Sequence, residues 1–150
     1  MNTRIDYAQV SPDGYKAFGG VYGTVQKSGL PKELVDLVYL RVSQINGCAF
    51  CIDMHTKDLL KFGVKVEKLA LVAVWRESGA VFTGRERAAL AWAESVTSVA
   101  ESRVPDAEYA AVTAEFSSKE VADLSYAIVL MNAFNRLGVA FRALPSAALA

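Results

Sequence analysis

The sequence predicts an all-α chain, a compact bundle of about six to seven helices. Three observations support this. Apolar residues recur at three- and four-residue spacing along most of the 150 positions. No useful stretch alternates strictly between apolar and polar residues, and no Asn-Gly or Asp-Gly pair lies between two strand-like segments.

Ser11-Pro12 reads as an N-cap followed by proline at the first helical position, and Tyr15, Phe18, Val21, Tyr22 and Val25 then repeat at helical spacing up to Gly29. Gly19, Gly20 and Gly23 weaken this first helix by up to about 1 kcal/mol each relative to alanine. Pro31 opens a second helix in which Leu34, Val35, Leu37, Val38, Leu40, Val42 and Ile45 leave few polar positions, and Asn46-Gly47 ends it. A third helix starts within a residue or two of Cys48 and runs to Phe62, stopped by Gly63. A fourth covers Val66 to Trp75. The fifth begins at Thr83, which pairs with Glu86 as a capping box ahead of Ala88, Leu90, Ala91 and Trp92. Pro105-Asp106 begins a sixth helix to about Phe116. Ser117 and Glu120 repeat the capping-box pattern before a final helix to about Arg142, with a short tail from Pro145. No repeat, low-complexity block or linker divides the chain, so residues 1–150 read as a single domain.

Composition narrows the functional classes. Hydrophobic residues make up 53% and charged residues 21%, too apolar a balance for a disordered tail. Sixteen Lys and Arg against sixteen Asp and Glu give no net charge, so the cationic excess that nucleic acid binding draws on is missing. The longest unbroken apolar run, Leu69 to Trp75, is far short of the roughly 20 residues of a membrane span. The N-terminus lacks the apolar core of a secretory signal, and a cytoplasmic location is the resulting expectation. The second and last helices are apolar enough to suggest that part of their surface meets another subunit.

Chemistry concentrates in C-A-F-C-I-D-M-H. On a helix Cys48, Cys51 and His55, the only histidine, point within about 60° of one another. A helix N-terminus favours a thiolate, a three-residue separation lets two sulfurs join, and an imidazole four residues after Cys51 can take and return a proton. His55 one turn away favours Cys51 as the attacking thiol and Cys48, nearer the more exposed helix start, as the resolving one, whereas the helix N-terminus acts more strongly on Cys48 and argues the reverse order. Inert core packing of the cysteines and a structural zinc site made by Cys48, Cys51, His55 and Asp36 are the competing interpretations.

The stretch from Asp36 to Lys57, D-L-V-Y-L-R-V-S-Q-I-N-G-C-A-F-C-I-D-M-H-T-K, resembles the active-site segment of the alkylhydroperoxidase D family in the carboxymuconolactone decarboxylase superfamily. Weaker similarity covers W-R-E-S from Trp75, T-G-R-E-R-A-A-L-A-W-A-E from Thr83 and N-A-F-N-R-L from Asn132. The resemblance implies an all-helical subunit, assembled as trimers or hexamers, that reduces hydroperoxides with its cysteine pair and is re-reduced by a thiol or dithiol protein. It implies no bound cofactor and no resident metal. Cys48 and Cys51 match the redox pair and His55 the proton-relay histidine. Asp36 stands where the family has glutamate, one methylene longer, with Glu33 a turn away as a substitute. Phe50 replaces a second histidine found in some members. A redox-sensing or zinc-stabilised interaction protein is the alternative from a different functional class.

Of the other residues, Arg41, Gln44 and Asn46 lead into the site, with Asn46 more simply a helix-end residue. Trp75, Trp92, Phe134 and Phe141 read as core or subunit contacts. The charged stretches from Arg85 to Arg87 and from Lys57 to Lys61 read as solvated faces.

Overall fold

A computed structural model describes residues 2–148. Among them are nine α-helices and no strand: α1 (Tyr7–Val10), α2 (Pro12–Gln26), α3 (Lys32–Asn46), α4 (Ala49–Lys61), α5 (Val66–Leu71), α6 (Gly84–Thr97), α7 (Val99–Ser102), α8 (Asp106–Glu115) and α9 (Ser118–Ala140). The helix starts follow local chemistry. Both expected capping boxes form, Thr83 with Glu86 ahead of α6 and Ser117 with Glu120 ahead of α9. Asp6 caps α1, a single turn that periodicity does not register, through the N–H groups of Ala8 and Gln9. The Val66 to Trp75 segment is not one helix: it changes at Leu71 into a 3₁₀ stretch, Val72–Glu77, which turns Trp75 into the core.

α3 is the centre of the molecule, touching α4, α6 and α9. Leu34, Val35, Val38 and Val42 pack with Leu124, Ile128 and Met131 of α9 and with Ala89 and Ala93 of α6. Leu37 and Leu40 join a second cluster with Leu59, Val72, Trp75, Phe82 and Leu90. Each fully buried Leu or Val contributes roughly 1.5–3 kcal/mol. This two-sided burial corrects one expectation: the apolar surface of α3 is covered within the subunit and is not free for a neighbour. α9 does keep Tyr126, Val129 and Val139 exposed, and of all α2 only Val25 is buried. Nor are Arg85 and Arg87 simply solvated. Arg85 lies over Phe116 at 4.2 Å and Arg87 over Trp75 at 5.1 Å.

Candidate active site

The cysteines are positioned by the turn between α3 and α4. Gly47 takes the left-handed conformation (φ 67°), and the N–H of Cys48 then closes on the carbonyl of Ser43 at 3.0 Å. Any residue with a Cβ would be strained at Gly47 by roughly 1–2 kcal/mol. Cys48 becomes the extended N-cap of α4, and its Sγ accepts the N–H of Cys51 at 3.4 Å. The two sulfurs form a disulfide, with Cα atoms 5.4 Å apart. Cys51, His55 and Leu59, spaced by four, are the buried face of α4.

His55 does not face solvent. It is 3% exposed, and its Nδ1 shares a 3.0 Å hydrogen bond with Asp36 Oδ1 on α3. A carboxylate only accepts, so Nδ1 donates and Nε2 keeps the free lone pair. The shorter side chain of Asp36 therefore reaches the imidazole, and Glu33 is not its substitute: Glu33 is exposed and lines a separate hollow with Gly63, Lys65 and Lys68. Tyr39 packs its ring, tilted by 47°, with its centroid 5.0 Å from that of His55. Burial raises the Tyr39 phenol well above its ordinary range, reinforced by Tyr22 and Asp36, so it stays neutral. Burial, then the Asp36 and Asp58 carboxylates, raise Tyr22 in the same sense. Both His55 Nε2 and the Tyr39 hydroxyl are buried without a hydrogen-bond partner.

Both sulfurs are buried, Cys48 at 2% and Cys51 at 3% exposure, so the expectation of a more exposed Cys48 at the helix start is corrected. The cause is α9. A Cβ built on Gly138 would lie 3.0 Å from Cys48 Sγ and 3.8 Å from Cys51 Sγ, so glycine lets the last helix close over the disulfide. A polar cluster locks the same contact. Asn46 Nδ2 donates to Asn132 Oδ1 and Asn135 Oδ1, each at 3.0 Å, and Asn135 Nδ2 donates to Ser43 Oγ at 3.0 Å. Asn46 is thus more than a helix-end residue.

Arg41 points elsewhere, to Glu94 at 2.7 Å, where Trp75 Nε1 donates at 2.9 Å and Arg76 also pairs. Burial pushes the Glu94 carboxyl up, but the hydrogen bonds from Arg76, Trp75 and Arg41 outweigh it and hold it below the usual range. Gln44 Oε1 is buried without a partner. Gly138, Asn135 and Glu94 were missed by sequence reasoning. Gly138 left a signal as a lone glycine inside an otherwise regular helix, and Glu94 and Asn135 lie within the stretches of weaker family similarity.

Chemically, joined sulfurs are electrophilic toward an incoming thiolate, and once reduced they sit on the same helix face as an imidazole oriented by a carboxylate. Oxidised in this way they are not thiolate ligands, so the four-residue zinc set foreseen from the sequence is not formed.

Residues 12–95 match the carboxymuconolactone decarboxylase family. An uncharacterised protein of Bacillus subtilis, YdfG, is 34% identical over 93% of this chain and 95% of its own. An alkyl hydroperoxide reductase, AhpD, of Methylocella silvestris is 47% identical over 45 residues, 30% of this chain and 25% of that protein. A crystal structure of a protein of unknown function from Agrobacterium tumefaciens, provisionally described as an antioxidant defence protein AhpD, is 42% identical with a TM-score of 0.93, covering 96% of this chain and 98% of that one.

Proposed function

The chain belongs to the carboxymuconolactone decarboxylase family, in its AhpD-like part, and we propose that it works there as a thiol-dependent peroxidase acting on hydroperoxides. The observation that supports this best is a disulfide between Cys48 and Cys51 at a helix start, one turn before a His55–Asp36 pair. The likeness to proteins named for alkyl hydroperoxide reduction and antioxidant defence adds to it.

In the reduced enzyme His55 takes the proton of Cys51, and Asp36 holds the ring that receives it. The Cys51 sulfur attacks the terminal oxygen of R–O–O–H, and the O–O bond breaks. Sulfur keeps the hydroxyl as a sulfenic acid, and the departing alkoxide recovers the proton from His55 and leaves as alcohol. Cys48 then attacks that sulfur, water leaves, and the disulfide returns. A dithiol protein reduces it and is itself oxidised to a disulfide. The cycle needs a reducing compartment, for which the cytoplasm is the natural assignment. No helix among the described residues is long and apolar enough to cross a membrane. Tyr126, Val129 and Val139 on α9 favour assembly as a homo-oligomer, trimer or hexamer, and light scattering showing a monomer at micromolar concentration would remove that part.

The test is direct. The reduced protein is mixed with an organic hydroperoxide, and thiols are counted against alcohol formed. Two thiols lost per alcohol, with a trappable sulfenic acid in Cys48→Ser and none in Cys51→Ser, is the expected result. Reduced protein that keeps both thiols in the presence of peroxide sinks the assignment.

A further inference from the structure

We propose that Asp36, His55 and Asp58 form a binding site for one divalent transition-metal ion of the zinc type, and that the bound ion holds the imidazole out of use. Each residue offers a ligand atom, and these atoms lie within 4.8 Å of one another. His55 and Asp58 are three residues apart on α4, which puts them on one face, and Asp36 reaches across from α3. One nitrogen with two carboxylate oxygens is a donor set zinc accepts, three protein ligands leaving a fourth position for water.

A second observation points the same way. The His55 ring is buried, and its Nδ1 lies 3.0 Å from Asp36 Oδ1, close enough for one ion to take the place of the proton between them. The charge balance also favours a cation. Two carboxylates face the ring, and among the described residues the one Lys or Arg paired with either is Lys61, held to Asp58 at 2.6 Å on a side chain 74% exposed. Such a pair is weak and gives way readily. Asp58, half-buried, also lines a surface hollow of about 200 Å³ with Phe50, Met54 and Lys61, so its carboxylate is the ligand that solvent reaches. Closing the ligands to coordination distance moves Asp58, the freest of the three. Coordination also takes Asp36 or His55 out of their shared hydrogen bond, so the ion inhibits. The inhibitory half rests on the peroxidase proposal, whereas the binding half does not.

The experiment uses the oxidised protein, in which the sulfurs are unavailable as ligands. Cobalt(II) is titrated into wild type, Asp58→Asn and His55→Ala while visible absorption is followed, and zinc is then added as competitor. One cobalt per chain, displaced by zinc and weakened in Asp58→Asn by more than the roughly 10–100-fold that losing an outer partner costs, supports the site. No binding, binding unchanged in either variant, or binding seen only after the cysteines are reduced overturns it. Peroxide turnover of each protein with zinc is compared with its own turnover without. Turnover that zinc leaves unchanged at full occupancy overturns the inhibitory role. Wild type that takes up zinc as expected but consumes no peroxide in any condition supports the site and refutes the proposed enzyme instead.

Discussion

Replacing Gly138 by alanine isolates what the last helix does to the disulfide. The new Cβ would stand 3.0 Å from Cys48 Sγ, roughly 0.5–1 Å inside ordinary contact. Overpacking of this kind costs about 1–3 kcal/mol. Alanine also favours the helix by up to about 1 kcal/mol, but it does so in both redox states and cancels between them. The overpacking does not cancel: a free Cys48 thiol rotates away, whereas the disulfide pins the sulfur under α9. The oxidised form is thus selectively destabilised and the midpoint potential rises, by about 20–60 mV when 30 mV corresponds to 1.4 kcal/mol. Equilibration against a dithiol buffer, read by thiol labelling, measures it, and melting of the two forms checks it independently. The Tm of the oxidised protein falls by about 2–10 °C more than that of the reduced protein. An unchanged or lower midpoint would refute the role assigned to the glycine.

Three further outcomes are expected. His55→Ala slows peroxide-driven disulfide formation by about 10²–10⁴-fold in rapid-quench thiol counting, and a rate equal to wild type removes the imidazole from the proton path. Glu94→Gln loses about 1.5–3 kcal/mol in urea unfolding, because charge-assisted bonds from Arg41, Arg76 and Trp75 are weakened. The Glu94 carboxyl is depressed in the folded state, so its stabilisation is complete above the ordinary value of 4.5 and fades as pH falls toward the folded one. The variant therefore shows a shallower acid slope below pH 4.5, and an identical slope contradicts the assignment. Asn135→Ala leaves Asn46 and Ser43 short of partners and costs about 1–3 kcal/mol, with a lower urea midpoint and unchanged m-value.

Helix ends were readable wherever a capping side chain or a glycine at positive φ decides them locally. Thr83 with Glu86, Ser117 with Glu120, and Gly47 and Gly63 at helix C-termini all act within a few residues of themselves. Placing Cys51 and His55 on one face needed only the helical period. Asp36 is different: it meets His55 across the α3–α4 turn, a pairing to which periodicity is blind. Farther still, Gly138 over Cys48, Asn135 beside Ser43 and Glu94 beneath Arg41 are set by how α9 and α6 lie on α3. No local rule encodes those contacts. The exposed Cys48 expected from a helix start fails for the same reason, since the helix end is open only until another helix covers it.

The chain contains a single imidazole, and it lies at the heart of the proposed site. Its ring protons therefore give one unambiguous pair of signals in a magnetic resonance spectrum, with no assignment required. Oxidation of the sulfurs, loss of the Asp36 bond and arrival of a paramagnetic ion would each leave a distinct mark on that pair, so this side chain reports on every event ascribed to the site.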